Sequence, residues 1–287
     1  MADRIKTIGV GQDYLDLILW ASSEGNINDG DRAVALVVEN LLMPSTLFRP
    51  NQSFPNGGLI KGNVTVTGEP GVGVEITSLA SSRMMLQPTD NIDYEDLYMT
   101  PTTQTYCIQS CNNARFDRVI IAGDEAYSIV LLSDKTAIIN NSVIKALRVF
   151  TSAPNSEFNL NNTLVTERII MQPSPSLLVF KNSISTADEF LLGRGTYVDS
   201  ETLVNYAKIF ENSPSSDFGP GSDNFEVNYD SNNDFIDFAG KDYRIKITSP
   251  LATAGENGTF IGPFLESGDP VSTFKLHWIT NFSGVVS

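Results

Sequence analysis

From about residue 62 to residue 181 the chain is written in short apolar runs separated by polar turns. Examples are Val64-Thr65-Val66, Val74-Glu75-Ile76, Met84-Met85-Leu86, Val119-Ile120-Ile121, Ile129-Val130-Leu131-Leu132 and Leu177-Leu178-Val179-Phe180. Runs of this length predict short strands, and nothing in the span sustains the 3.6-residue period of a helix. Upstream the pattern differs. Asp13 is placed to cap a helix that carries Tyr14, Leu15, Leu17, Ile18, Leu19 and Trp20, with positions 14, 17, 18 and 21 on one face and Gly25 beyond its end. The turn signal Asn28-Asp29-Gly30-Asp31 follows, and residues 32–41 then read as a buried strand. A loop with Pro44, Pro50, Pro55 and Gly57-Gly58 comes next. Residues 212–233, rich in Ser, Asp, Asn, Gly and Pro, predict a long loop on the outside.

An internal repeat organises the strands. Four segments align without gaps: residues 116–120, 140–144, 161–165 and 181–185. Each has a small polar residue, Asp117, Asn141, Asn162 or Asn182, at spacings of 24, 21 and 20 residues. Two places later comes Val119, Val143, Leu164 or Ile184. A unit of about 20–24 residues fits a parallel β-helix or a leucine-rich repeat. The leucine-rich consensus is missing and no helix fits inside the unit. Stacking such coils about 4.8 Å apart lines identical positions into ladders. Asn suits a tight corner because it tolerates left-handed backbone, and stacked Asn side chains can bond from coil to coil. The competing reading is a jelly roll or sandwich in which the Asn spacing is coincidental. The expected fold is all-β: a right-handed single-stranded parallel β-helix with a short N-terminal capping helix. Its parts are residues 1–61 (N-terminal strand, capping helix and first coil), 62–262 (parallel β-helix with terminal loops) and 263–287 (a tail for capping or subunit contact).

Charge narrows the function classes. Nineteen basic and 34 acidic residues give the 287-residue chain a net charge of −15, which disfavours a nucleic-acid partner. No apolar run approaches the roughly 20 residues of a membrane-spanning helix, so no membrane is expected as partner. The N-terminus Met-Ala-Asp-Arg-Ile-Lys has no signal-peptide pattern, and folding in a cytoplasm is expected. The triplets starting at Asn63, Asn161 and Asn257 fit a glycosylation pattern but carry little weight without a secretion route. Cys107 and Cys111, spaced C-x₃-C, match neither a redox nor a zinc motif and read as small apolar residues.

Three stretches resemble the pectate-lyase-like β-helix superfamily. One runs from Ile8-Gly9 through Asp13-Tyr14 and the helix to Gly30-Asp31-Arg32-Ala33-Val34. The second is the Asn-bearing coil. The third is Lys241-Asp242-Tyr243-Arg244-Ile245, then Thr248-Ser249-Pro250-Leu251 to Gly255 and Ile261-Gly262. The resemblance specifies a fold and leaves function open, because this fold hosts many functions. Within that group the chain looks most like phage virion components, which implies a capsid decoration or cement protein, or a tail protein, often trimeric.

Candidate chemistry is sparse. Glycoside hydrolysis needs two carboxyl groups flanking one bond. The pairs Glu95-Asp96, Asp124-Glu125 and Asp188-Glu189 read as solvated turn pairs. Arg244-Ile245-Lys246 matches part of a polygalacturonase pattern, but the accompanying Gly-His-Gly is missing and the lone histidine is His277. Here it reads as an exposed–buried–exposed strand. Asp230-Ser231-Asn232-Asn233-Asp234 opens like a calcium loop, yet Phe235 and Lys241 replace the Gly and Glu it needs. The expectation is therefore no catalytic residue, cofactor or metal, with Asp117, Asn141, Asn162 and Asn182 as a structural ladder. In the tail, residues 272–279 alternate as a strand, with Phe274, Leu276, Trp278 and then Phe282 as partner contacts. The expected protein is a non-enzymatic virion structural protein that assembles with itself as a homotrimer and with other capsid proteins. The alternatives are a carbohydrate-active β-helix (tailspike-like depolymerase or polysaccharide lyase) and a non-catalytic glycan-binding module.

Overall fold

The computed structural model describes residues 2–43, 54–62, 74–78, 83–86, 92–101, 106–109, 113–121, 127–131, 135–149, 156–171, 177–185, 189–192, 201–205, 208–209, 225–226, 231–239, 242–255 and 258–266. The chain is a parallel β-helix. Among the described residues, 18 strands form one continuous sheet, and every pairing within it is parallel. This excludes the sandwich and the jelly roll, which are built from antiparallel neighbours.

The sheet turns corners and presents three faces. The first holds Asp3–Ile8, Arg32–Val37, Gly58–Gly62, the starts of Ile92–Pro101 and Ala114–Ile121, and Leu177–Lys181. Thr136–Val149 and Glu157–Met171 run through all three faces, with a register shift between Ile144 and Ala146. Side chains alternate along each strand, so every second residue points into the tube. On the first face the inward column is Ala35, Ile60, Tyr94, Phe116, Ile139, Leu160 and Phe180. The Tyr94 and Phe116 rings lie 4.9 Å apart and nearly parallel. On the second it is Ile76, Met99, Ile121, Ile144 and Val165; on the third, Ile108, Ile129, Leu147 and Ile169. All are buried, and together they make one core along the axis. Cys107 lies in this core against Met99, while Cys111 falls outside the described residues.

The helix spans Leu17–Glu24 and covers the end of the tube with Leu17, Trp20 and Ala21. Trp20 stacks on Phe54 at 5.1 Å. Its cap is Asp16, which accepts the Leu19 N–H at 2.8 Å, and not Asp13. The helix starts late because Tyr14 is still extended and bridges Ile8. Asp13 instead accepts the Thr7 N–H and hydroxyl. The strand expected over 32–41 is two strands, Arg32–Val37 and Leu41–Met43, because a corner intervenes.

Two further differences concern the C-terminal third. Of the loop expected over 212–233, residues 212–224 and 227–230 lie outside the described residues, and Phe225–Glu226 is a strand that joins the stack beside Lys208–Ile209. From residue 231 the chain then leaves the stack. A four-residue helix, Ser231–Asp234, leads into Phe235–Asp237, antiparallel to Asp242–Ile245, which pairs in parallel with Phe264–Leu265. This small sheet lies on the outside of the second face. There the outward column Tyr98, Ile120, Val143, Leu164 and Ile184 would expose bulky apolar groups, and Phe235, Tyr243, Ile245, Leu251 and Ile261 cover them. The stretch through Ile261-Gly262 is thus a lateral cover of the tube.

Candidate functional site

The repeat places its polar residues at the corner between the first and second faces. Asn141, Asn162 and Asn182 all have left-handed backbone, with φ of 46°, 49° and 46°. The sheet register continues the column back to Arg118 and Asp96, both at φ 54°. Asp117 is thus one residue out: it pairs with Asn140, and Arg118 holds the corner opposite Asn141. The gap-free alignment chose the small polar residue, but Arg118 can take the corner because its guanidinium has a fixed set of carboxylate partners.

Those partners form an ion cluster. Arg118 Nε donates to Asp96 Oδ1 at 2.6 Å and Nη2 to Asp96 Oδ2 at 3.1 Å, a two-pronged contact. The same guanidinium bonds Glu95, and Nη1 reaches Asp117 Oδ2 at 3.0 Å. Lys61, one coil earlier, bonds Glu95 at 2.7 Å and lies 3.4 Å from Asp96. Asp117 also accepts the Asn141 side-chain N–H at 3.0 Å, which joins the charged part of the column to its amide part. Glu95-Asp96 is therefore no solvated turn pair: Asp96 is only 4% exposed. Asp124, Glu125 and Asp188 lie outside the described residues, and Glu189 begins the strand Glu189–Leu192.

The amide part bonds in two directions. The Asn182 side chain approaches Asn161 Oδ1 at 3.5 Å. Asn162 turns outward and donates to Phe260 O at 3.0 Å and Gly262 O at 3.4 Å, while Gly262 N–H donates to Asn182 O at 2.9 Å. The column is thus the seam to which the C-terminal cover is tied. Gly262 has φ 117°, and a Cβ there would sit 2.8 Å from Ile184 Cδ1, so only glycine lets the cover approach this closely.

Sequence reasoning missed the residue after each Asn. Ser142, Thr163 and Ser183 are fully buried in register. Ser142 Oγ accepts the Val119 N–H at 3.0 Å and donates to Asn140 O; Ser183 Oγ accepts the Thr163 N–H at 3.0 Å and donates to Lys181 O. Thr163 Oγ1 donates to Ile139 O and Asn161 O. The left-handed corner interrupts the backbone ladder, and the hydroxyls satisfy the groups it strands. The repeated Asn-Ser and Asn-Thr pairs were the available signal. Thr163 also belongs to a glycosylation triplet, and its burial turns that triplet to a structural role.

Two carboxyls on the strand Ile92–Pro101 are pushed in opposite directions. Burial raises Asp93, and the Arg115 N–H and nearby guanidinium charges only partly oppose it. For Glu95, burial acts upward but Lys61 and Arg118 outweigh it, so its carboxyl is held below the ordinary range. The two lie two residues apart on one strand, roughly 6.6 Å between Cα atoms.

The remaining expected features fall as follows. Arg244 is buried, not exposed, beside the fully buried Ile245. Asp234, at the end of the calcium-like stretch, is buried and accepts the Ser249 hydroxyl at 2.6 Å. Ser249 in turn caps the turn Pro250–Ala252. His277 and the expected contacts Phe274, Leu276, Trp278 and Phe282 lie outside the described residues. Among the described residues no helix is long and apolar enough to cross a membrane, and no group of three His, Cys, Asp or Glu is placed to hold a metal ion. Comparison with protein-family models, with curated proteins and with solved structures gives no match.

Proposed function

We propose that the protein is a non-enzymatic structural component of a virion, a capsid decoration or cement protein of the pectate-lyase-like β-helix type. It assembles as a homotrimer and acts by shape and by resistance to unfolding. One observation supports the reading above others: the polar side chains at the repeat corner bond the next coil or the C-terminal cover. Glu95, Asp96 and Asp117 neutralise Lys61 and Arg118 instead of flanking a substrate bond. Such a column makes adjacent coils cooperative, a property suited to a particle that leaves the cell.

A second reading rests on Asp93 and Glu95. A carboxyl held up beside one held down is the arrangement of acid–base catalysis, and on it the protein is a carbohydrate-active β-helix. Light scattering combined with a turnover screen on acidic and neutral polysaccharides separates the two. A stable trimer without turnover supports the structural role. Turnover lost in Asp93→Asn and Glu95→Gln overturns it.

A further inference from the structure

Among the described residues, apolar exposure is concentrated at the capped end of the tube. Among the described residues eight large aliphatic side chains are exposed, and five of them, Ile5, Val10, Leu15, Leu19 and Ile27, fall within the first 27 residues. The three in the cap segment stand well clear of the surface: Val10 is 73% exposed, Leu15 58% and Leu19 47%. They belong to one compact piece. The turn before the helix is closed by Gly9 N–H to Tyr14 O at 2.9 Å and Gln12 N–H to Gly9 O at 3.2 Å, and Leu19 lies in the first turn of Leu17–Glu24. Helix packing does not account for them, since Leu17, Trp20 and Ala21 supply the contact with the core. Three exposed aliphatics within ten residues of one hydrogen-bonded segment are more than scattered single exposure, and apolar exposure gathered in one place marks contact surfaces.

The rim around them is acidic, and its charge is largely uncancelled. Asp13, Asp16 and Glu39 accept the backbone N–H groups of Thr7, Leu19 and Val10. Arg4 is engaged by Glu24 and Asp29, and Arg32 by Asp3. Lys6, whose charge reaches Asp13, offsets only part of the rim. A backbone N–H holds a carboxylate in place without removing its charge.

We infer that this capped end is a docking face for a partner protein surface that is apolar at its centre and rich in Lys or Arg around it. A second copy is a poor occupant. A two-fold contact at this face sets the same patch against itself and would press acidic rim on acidic rim. The inference does not depend on the virion reading, because any basic apolar surface meets it.

The test uses the full chain and two synthetic amphipathic helical peptides, one of leucine and lysine and one of leucine and glutamate. Binding is followed by fluorescence anisotropy at low and high salt. The leucine–lysine peptide is expected to bind, with affinity lowered about tenfold in Leu15→Ser/Leu19→Ser. Asp16→Asn/Glu39→Gln keeps both hydrogen-bond acceptors while removing two charges. It is expected to weaken binding severalfold and to flatten its salt dependence, which a folding defect would not do. Equal binding of the leucine–glutamate peptide overturns the inference. So does leucine–lysine binding unchanged in both variants. A solution mass of the protein alone that falls in Leu15→Ser/Leu19→Ser also overturns it, because a second copy then covers the face.

Discussion

The corner column runs from charge at one end to amides at the other, and the backbone turn is the same throughout. At the charged end Asp96 and Arg118 sit at φ 54°; at the amide end Asn141, Asn162 and Asn182 sit between 46° and 49°. Asn adopts this conformation readily, whereas arginine there costs about 1 kcal/mol. Arg118 offsets that cost with its two-pronged contact to Asp96 and its bonds to Glu95 and Asp117. The corner selects for a side chain that bonds the neighbouring coil. Whether that bond is ionic or between amides is secondary. The ends differ in what they hold: the charged end ties coil to coil, and the amide end also ties the C-terminal cover.

The largest expected effect breaks the amide end from outside. Leu164→Ala removes a fully buried side chain from the column under the cover and is expected to destabilise by about 3 kcal/mol, read by urea unfolding. Hydrogen exchange should speed up first in residues 231–266. Uniform acceleration over the whole chain would mean that the cover and the stack unfold as one.

Arg118→Ala breaks the charged end. It leaves the buried Asp96 and the partly buried Glu95 with Lys61 as their remaining cluster cation, and about 2 kcal/mol of stability should be lost. Arg118→Asn sharpens the comparison, because it removes the same ion pairs but supplies a residue at ease in the corner. Its loss should be smaller by about 1 kcal/mol. Equal losses would show that backbone conformation contributes nothing here.

Asn162→Ala comes next, at about 1–2 kcal/mol, through its bonds to Phe260 O and Gly262 O and its left-handed φ. Asn162→Gly keeps the backbone and should cost less. Ser142→Ala leaves the Val119 N–H without its acceptor and should cost about 1 kcal/mol.

The smallest effect is the pH dependence of the charged end. Glu95 is held below its unfolded value, so its contribution is present above about pH 4.3 and is lost as pH falls through the folded value. Asp93 is raised, so its contribution has the opposite sign: it is present below about pH 3.9 and is lost as pH rises through the folded value. Glu95→Gln should flatten the acid limb of a stability–pH curve, and Asp93→Asn should steepen the net loss on acidification. Parallel curves for both variants would show that neither carboxyl is coupled to folding.

The amide end was the legible one. Asn141, Asn162 and Asn182 recur at near-constant spacing because a small residue that tolerates positive φ is among the few solutions to an isolated tight corner. The charged end was not legible in the same way. Arg118 has no intrinsic preference for the corner, and its fitness comes from Asp96 and Glu95, 22 and 23 residues away. An alignment that looks for similar residues therefore settled on Asp117, one place early. The acidic pair Glu95-Asp96 looked solvated for the same reason, since the cations that bury it belong to other coils.

What the sequence determined by itself is the coil: the strand runs, the repeat length, the Asn corner and the helix that closes one end. These follow from local preferences and from a period that any stacked arrangement must respect. Only the tertiary structure decided which outward residues are surface. Val143, Leu164 and Ile184 read as inward core positions of the repeat, yet with Tyr98 and Ile120 they point out of the tube, and residues from 231 onward cover them. The same stacking turned Asp96 into a buried ion-pair partner and the hydroxyls of Ser142, Thr163 and Ser183 into a buried ladder. The physical reason is distance along the chain. Burial and charge pairing depend on which coil lies alongside, and that is set by register and by a C-terminal segment that folds back about a hundred residues onto Asn162.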